Sequence, residues 1–105
     1  MPAPNMRKER RYVDVVARWR DDGQVTPLAV CWPDGRTFQI DEVLGGPAAN
    51  AFSSAHEITL RYKVRVGGRV THLFLEKSGE AHPTLRWYVE ALPGRPPWRF
   101  GRHSF

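Results

Sequence analysis

A single cysteine, Cys31, leaves this sequence without any internal disulfide and fits a reducing compartment. Its four histidines, His56, His72, His82 and His103, never fall at i,i+2 or i,i+4. Without such spacing, and without a Cys partner for Cys31, nothing resembles a zinc site, and no metal or other cofactor is expected. No stretch approaches the roughly twenty apolar residues of a membrane-spanning helix. The segment from Met1 to Arg11 is rich in Pro, Arg and Lys and has no apolar core of the kind a secretory signal needs. A cytoplasmic location is the resulting expectation. Nucleophile elbows, phosphate loops and dinucleotide fingerprints are also missing. Gly67-Gly68 lacks the strand–loop–helix context of a phosphate cradle and reads as a turn.

What is present is charge, aromatic residues and alternation. The 105 residues make one domain's worth of chain, with a formal charge of +5 and four Trp, three Tyr and five Phe. The charge is unevenly spread. Residues 1–11 carry Arg7, Lys8, Arg10 and Arg11 against Glu9, a net +3. Residues 93–105 carry Arg95, Arg99 and Arg102, again +3, whereas residues 12–92 hold nine basic and ten acidic side chains. The expected organisation is a disordered basic tail over 1–11, a near-neutral β domain over 12–92, and a Pro-, Arg- and aromatic-rich tail over 93–105.

No segment sustains a helical period; period two dominates. Tyr12 to Arg20 alternates, with Val13, Val15, Ala17 and Trp19 on one face. Asp22-Gly23 then predicts a two-residue hairpin that sets Trp19 opposite Thr26 and Val15 opposite Val30. At the next turn a two-residue loop would send the apolar set to the wrong face. Pro33-Asp34-Gly35 therefore predicts a three-residue bulged loop with Phe38 opposite Val30. Pro27, lacking an amide donor, should sit at an irregularity. The glycines and proline after Leu44 should break the strand, and the alanines that follow could support a helical turn. Ile58, Leu60, Tyr62, Val64 and Val66 alternate with Glu57, Thr59, Arg61, Lys63 and Arg65. Gly67-Gly68 turns the chain into Arg69–Glu76, and a last strand covers Leu85 to Leu92. The fold expected is a six-stranded antiparallel meander curled into a small, open, SH3-like barrel.

Two acid pairs, Asp21-Asp22 and Asp41-Glu42, lie at a turn and a strand end, where carboxylates are solvated; no catalytic residue is assigned and no enzyme is expected. The informative surface is the outer face of the strands on either side of Gly67-Gly68. The two-residue turn places Arg65 beside Val70, Lys63 beside His72, and Arg61 beside Phe74. Cations two residues apart on a strand stand roughly 6–7 Å from each other, comparable to successive phosphates of an extended nucleic acid. Arg61, Lys63, Arg65 and His72 would meet phosphates while Phe74 stacks on a base, with the basic tails adding charge. The same alternation is also what any half-buried antiparallel strand displays on its wet face. A second reading is a protein-interaction or self-associating domain. It would use exposed apolar side chains among Val16, Val70, Leu73 and Phe74, together with Trp98 and Phe100 of the C-terminal tail, whose aromatic residues could equally dock on their own domain. Trp32 and Trp87 read as core anchors, and Tyr88, opposite in phase to Trp87, as exposed.

One pattern spans most of the chain. It begins with Trp32-Pro33-Asp34-Gly35-Arg36, Phe38, Ile40-Asp41 and Val43-Leu44. It continues with Arg61-Tyr62, Val64-Arg65-Val66, Gly68, Leu73-Phe74-Leu75-Glu76 and Arg86-Trp87-Tyr88-Val89-Glu90. This set resembles a group of short bacterial all-β proteins of unknown function, over about residues 13–90. Its motifs are turn and core residues, so the resemblance implies a shared fold and a bacterial, cytoplasmic origin, and transfers no site residue. The Pro- and Arg-rich ending departs from that group.

Overall fold

Alternating apolar and polar side chains become seven β-strands in the computed structural model, which describes residues 7–49, 57–79, 82 and 84–98. The strands are β1 (Glu9–Trp19), β2 (Val25–Cys31), β3 (Thr37–Gln39), β4 (Glu42–Ala49), β5 (Glu57–Val66), β6 (Arg69–Ser78) and β7 (Thr84–Ala91). Among the described residues there is no helix, and none long and apolar enough to cross a membrane. The strands form one antiparallel sheet in the order β3-β2-β1-β7-β6-β5-β4, curled into an open half-barrel.

The curl shows at two places. β1 pairs with β7 over Glu9–Val13 and with β2 over Asp14–Trp19, so its two halves belong to different parts of the wall. The chain expected to run as one strand to Leu44 is two, β3 and β4, joined at Ile40-Asp41. There the amide of Ile40 donates to the Leu28 carbonyl at 2.9 Å, and the amide of Asp41 donates to the Arg65 carbonyl at 2.8 Å. Two consecutive amides thus reach β2 and β5, which lie far apart in the strand order. That corner accounts for the seventh strand.

The hairpins repay comparison with their sequences. Pro33-Asp34-Gly35 is a three-residue loop, as expected, with Val30 opposite Phe38 and Gly35 at φ 96°. The first hairpin has the same form and not the two-residue loop. Gly23 donates to the Arg20 carbonyl at 2.9 Å and Arg20 to that of Gln24 at 2.8 Å, leaving Asp21-Asp22-Gly23 as the loop. Asp22 and Asp34 each accept, through Oδ1, the amide two residues on, at 3.0 Å; this local bond favours the turn in both places. The longer loop pairs Trp19 with Val25, a slip of one from the expected register. Leu28 is passed over between the pairs Ala17–Pro27 and Val16–Ala29; this bulge removes the slip, and Val15 meets Val30 as the apolar pattern requires. Pro27 sits at that irregularity, where a missing donor costs the ladder least. Gly67-Gly68 forms the two-residue turn, both residues at positive φ, and the β5–β6 register is the expected one throughout.

Beyond Leu44 the strand continues. Gly45, Gly46 and Pro47 produce register shifts and not a break, and β4 stays paired with β5 to Ala49; the remainder of the expected helical turn lies outside the described residues. The basic N-terminal segment is likewise shorter than 1–11, because Glu9, Arg10 and Arg11 pair with Ala91, Glu90 and Val89.

The core lines the concave face: Val13, Val30, Trp32, Tyr62, Val64, Val66, Leu73, Leu75, Trp87 and Val89 are all buried. Trp32 and Trp87 are the anchors expected. Trp98 completes the core instead of serving a partner. It is 4% exposed and packs edge-to-face on Trp32 and Phe38, with centroids at 5.7 and 5.2 Å. The chain turns toward it at Leu92–Arg95, where Pro93 and a left-handed Gly94 (φ 80°) occupy the corners a type II turn prefers. Phe100 lies outside the described residues.

Candidate nucleic-acid interface

The convex face carries two neighbouring but different surfaces. Its centre is an aromatic island formed when the first strand closes on the last. Tyr12 stands opposite Tyr88, and Tyr88 opposite Phe74, in one row across β1, β7 and β6. The Phe74 and Tyr88 rings are stacked at 4.8 Å with 7° between planes, and Tyr12 meets Tyr88 edge-on at 5.5 Å. The Arg10 guanidinium lies over Tyr88 at 4.6 Å and that of Arg86 over Tyr12 at 3.5 Å. Beneath them the buried Glu76 accepts from Arg10 at 3.0 Å and from the Tyr12 hydroxyl at 3.2 Å. Glu76, Arg10 and the Tyr12 hydroxyl satisfy one another beneath the stacked rings, so the island behaves as a small second core. Burial raises the pKa of the Tyr88 phenol and, on the concave face, of the Tyr62 phenol, which donates to the Val25 carbonyl at 2.9 Å.

The island corrects two expectations. Phe74, proposed to stack on a base, is 6% exposed with its face on Tyr88, so no base can reach it. Tyr88, expected to be exposed, is buried. Their sequence phase was right, but an outward-facing ring is covered when long-range pairing sets other rings and arginine stems beside it. Of the apolar residues assigned to a self-associating face, Leu73 belongs to the core, while Val16 and Val70 are about half exposed.

The second surface is the basic strip on β5. Arg61 stands between Ala48 and Phe74, Lys63 between Gly45 and His72, and Arg65 between Glu42 and Val70. Arg61, Lys63 and His72 are exposed; Arg65 is partly covered and ion-paired with Glu42. The structure therefore places Arg61, Lys63, Arg65 and His72 on one continuous face. Gly45 and Ala48 matter as much as the cations, because small residues on β4 leave Arg61 and Lys63 open toward the sheet edge. Sequence reasoning missed this flank, since β4 was taken to end before it.

Electrostatics separates the cations. Arg10, Arg65 and Arg86 are engaged by carboxylates or rings, whereas Arg61 and Lys63 have no ion-pair partner among the described residues. His72 senses the excess. Its pKa is lowered, first by the partial desolvation that neighbouring side chains impose on an otherwise exposed ring and then by repulsion from Arg61 and Lys63, with Lys8 adding to the effect and Glu90 on β7 opposing it. The imidazole is accordingly neutral at pH 7.

The acid pairs have structural duties. Asp22 closes its hairpin, Asp41 accepts from the Gly68 amide at 3.4 Å, and Glu42 holds Arg65. Among the described residues no group of three or more His, Cys, Asp or Glu side chains could hold a metal ion. No protein-family model matches this chain, and no curated protein or solved structure is significantly similar to it.

Proposed function

We propose that this chain is a non-enzymatic binding module that holds a nucleic-acid backbone along the outer face of β5 and β6. The observation that carries the reading is the pair Arg61 and Lys63: adjacent on one face, exposed, and free of carboxylate partners among the described residues. A chain of phosphates running along the strip would replace the solvent around both cations, with Arg65 as a third contact if Glu42 yields. Phosphate contacts position a strand without reading its bases, and the occlusion of Phe74 removes the ring expected to stack on a base. The expected binding is therefore weak, indifferent to sequence and strongly dependent on salt. The same reading takes the half-barrel as SH3-like, with Ile40-Asp41 as the corner at which one strand passes from one side of the barrel to the other.

The test is an anisotropy titration with single- and double-stranded oligonucleotides at two salt concentrations. Two to three phosphate contacts predict that log K falls with log salt at a slope between about −1.4 and −2.1 for a single strand. The double change Arg61→Glu with Lys63→Glu should weaken binding by at least about tenfold, while Arg20→Glu, at the hairpin on β1, should leave it unchanged. No binding at low salt, or equal loss from both variants, removes the proposal.

A further inference from the structure

The concave face holds a different kind of site. β1 leaves β7 after Val13, and its far half turns away with β2. A groove of about 330 Å³ opens between that hairpin and the ends of β5, β6 and β7. One wall is Trp19 with Val25, which are cross-strand partners. Leu60 and Leu75 form the floor, where the Tyr62–Val25 hydrogen bond ties the two walls together. At the rim, Ile58, Lys77 and Leu85 stand in one row across β5, β6 and β7. Three of these side chains are large, apolar and half exposed: Trp19 at 57%, Ile58 at 44% and Leu85 at 46%. Large apolar groups gathered around a concavity, unlike apolar residues scattered singly, mark a place where something binds.

The groove's charge says what that is. Lys77 is the one charged residue of the lining, and it has no ion-pair partner among the described residues. Its alternation with Leu73 and Leu75 places it on the concave side, flanked by Ile58 and Leu85, so its stem lies on apolar neighbours and its ammonium reaches the rim. An apolar trough with one cation at its mouth is complementary to an amphipathic anion. We propose that this groove binds an aliphatic carboxylate, its chain against Trp19, Val25, Leu60 and Leu75 and its head group on Lys77. The site lies on the face opposite Arg61 and Lys63 and does not depend on the nucleic-acid reading.

Trp19 supplies the measurement. Trp32, Trp87 and Trp98 are buried, so acrylamide quenching of tryptophan emission reports chiefly on Trp19. The full chain is titrated with decanoate, decanol and decyltrimethylammonium, each below its micellar concentration. Decanoate should protect Trp19 saturably and bind at least about tenfold more tightly than decyltrimethylammonium, with decanol between. Lys77→Glu, at an exposed position that the fold tolerates, should reverse that order. Trp19→Phe should abolish the signal while calorimetry still detects decanoate. Absence of saturable protection overturns the proposal, as does equal affinity for the two ionic head groups, or Lys77→Glu leaving decanoate binding unchanged.

Discussion

His72 is held neutral by its surroundings, and that makes it a gauge of the strip beside it. Partial desolvation lowers its pKa, and the field of Arg61 and Lys63 lowers it further. A phosphate placed on those two cations would cancel part of that field and raise the histidine pKa. By linkage, affinity for a polyanion must then increase as pH falls through the depressed value, because binding takes up a proton. Titrations between pH 8 and pH 5.5 should show this rise, and His72→Gln should flatten it. Stability runs the other way. The unfolded chain, with an ordinary histidine, binds the proton more readily than the folded one, so His72 lowers stability as pH falls from about 6.5 toward its folded pKa. Binding and stability with opposite pH trends, both abolished by one substitution, would be hard to obtain from a merely solvated imidazole. Parallel trends would sink the argument.

At the scale of elements, β4 is where sequence and structure part, and the reason is steric. Gly46 adopts φ 98°, and a Cβ there would stand 2.5 Å from the Arg61 carbonyl oxygen and 3.1 Å from the Tyr62 Cα. The glycine that looks like a strand breaker is what lets β4 pass close to β5. Gly46→Ala should therefore cost about 2 kcal/mol or more through backbone strain and displacement of β4. Gly45 has open space and no positive φ; Gly45→Ala should fall within about 0.5 kcal/mol of the parent. Denaturation midpoints of the two variants decide the matter, and similar values would refute this account. The other elements were easier to read. Alternation in Ile58–Val66 and the paired glycines fixed the β5–β6 ladder and hence the company of Lys63 and His72. Local patterns carry such information because a hairpin's register is set by its own turn. They carry none about closure: Tyr12, Tyr88 and Phe74 share a row only because the first strand meets the last. The strip was thus legible, while the occlusion of Phe74 was not.

The whole molecule explains why the C-terminal segment is part of the domain. A sheet of this size curled only partway leaves one side of its apolar face uncovered, and the gap falls between β2–β3 and β5. Trp98 fills it from outside the sheet, touching Trp32 and Phe38, with Pro96 buried beside it in sequence. Its indole Nε1 is buried and has no hydrogen-bond partner among the described residues. An unmatched donor detracts from stability by about 1–3 kcal/mol, so the side chain is retained here by packing and not by polar contact. The two contributions separate by substitution. Trp98→Ala should remove roughly 3 kcal/mol, as truncation of a large buried aromatic does. It should also open Trp32 and the Phe38 face to solvent, which raises acrylamide quenching. Trp98→Phe keeps most of the ring contact and discards the unpaired N–H, so its loss should stay under about 1.5 kcal/mol. Were Trp98 only resting on the surface, both variants would unfold at the parent's denaturant concentration. Were its N–H secretly bonded, phenylalanine would cost nearly as much as alanine. The first result would return the segment beyond Leu92 to the status of a tail; the second would overturn the claim that packing alone holds the indole.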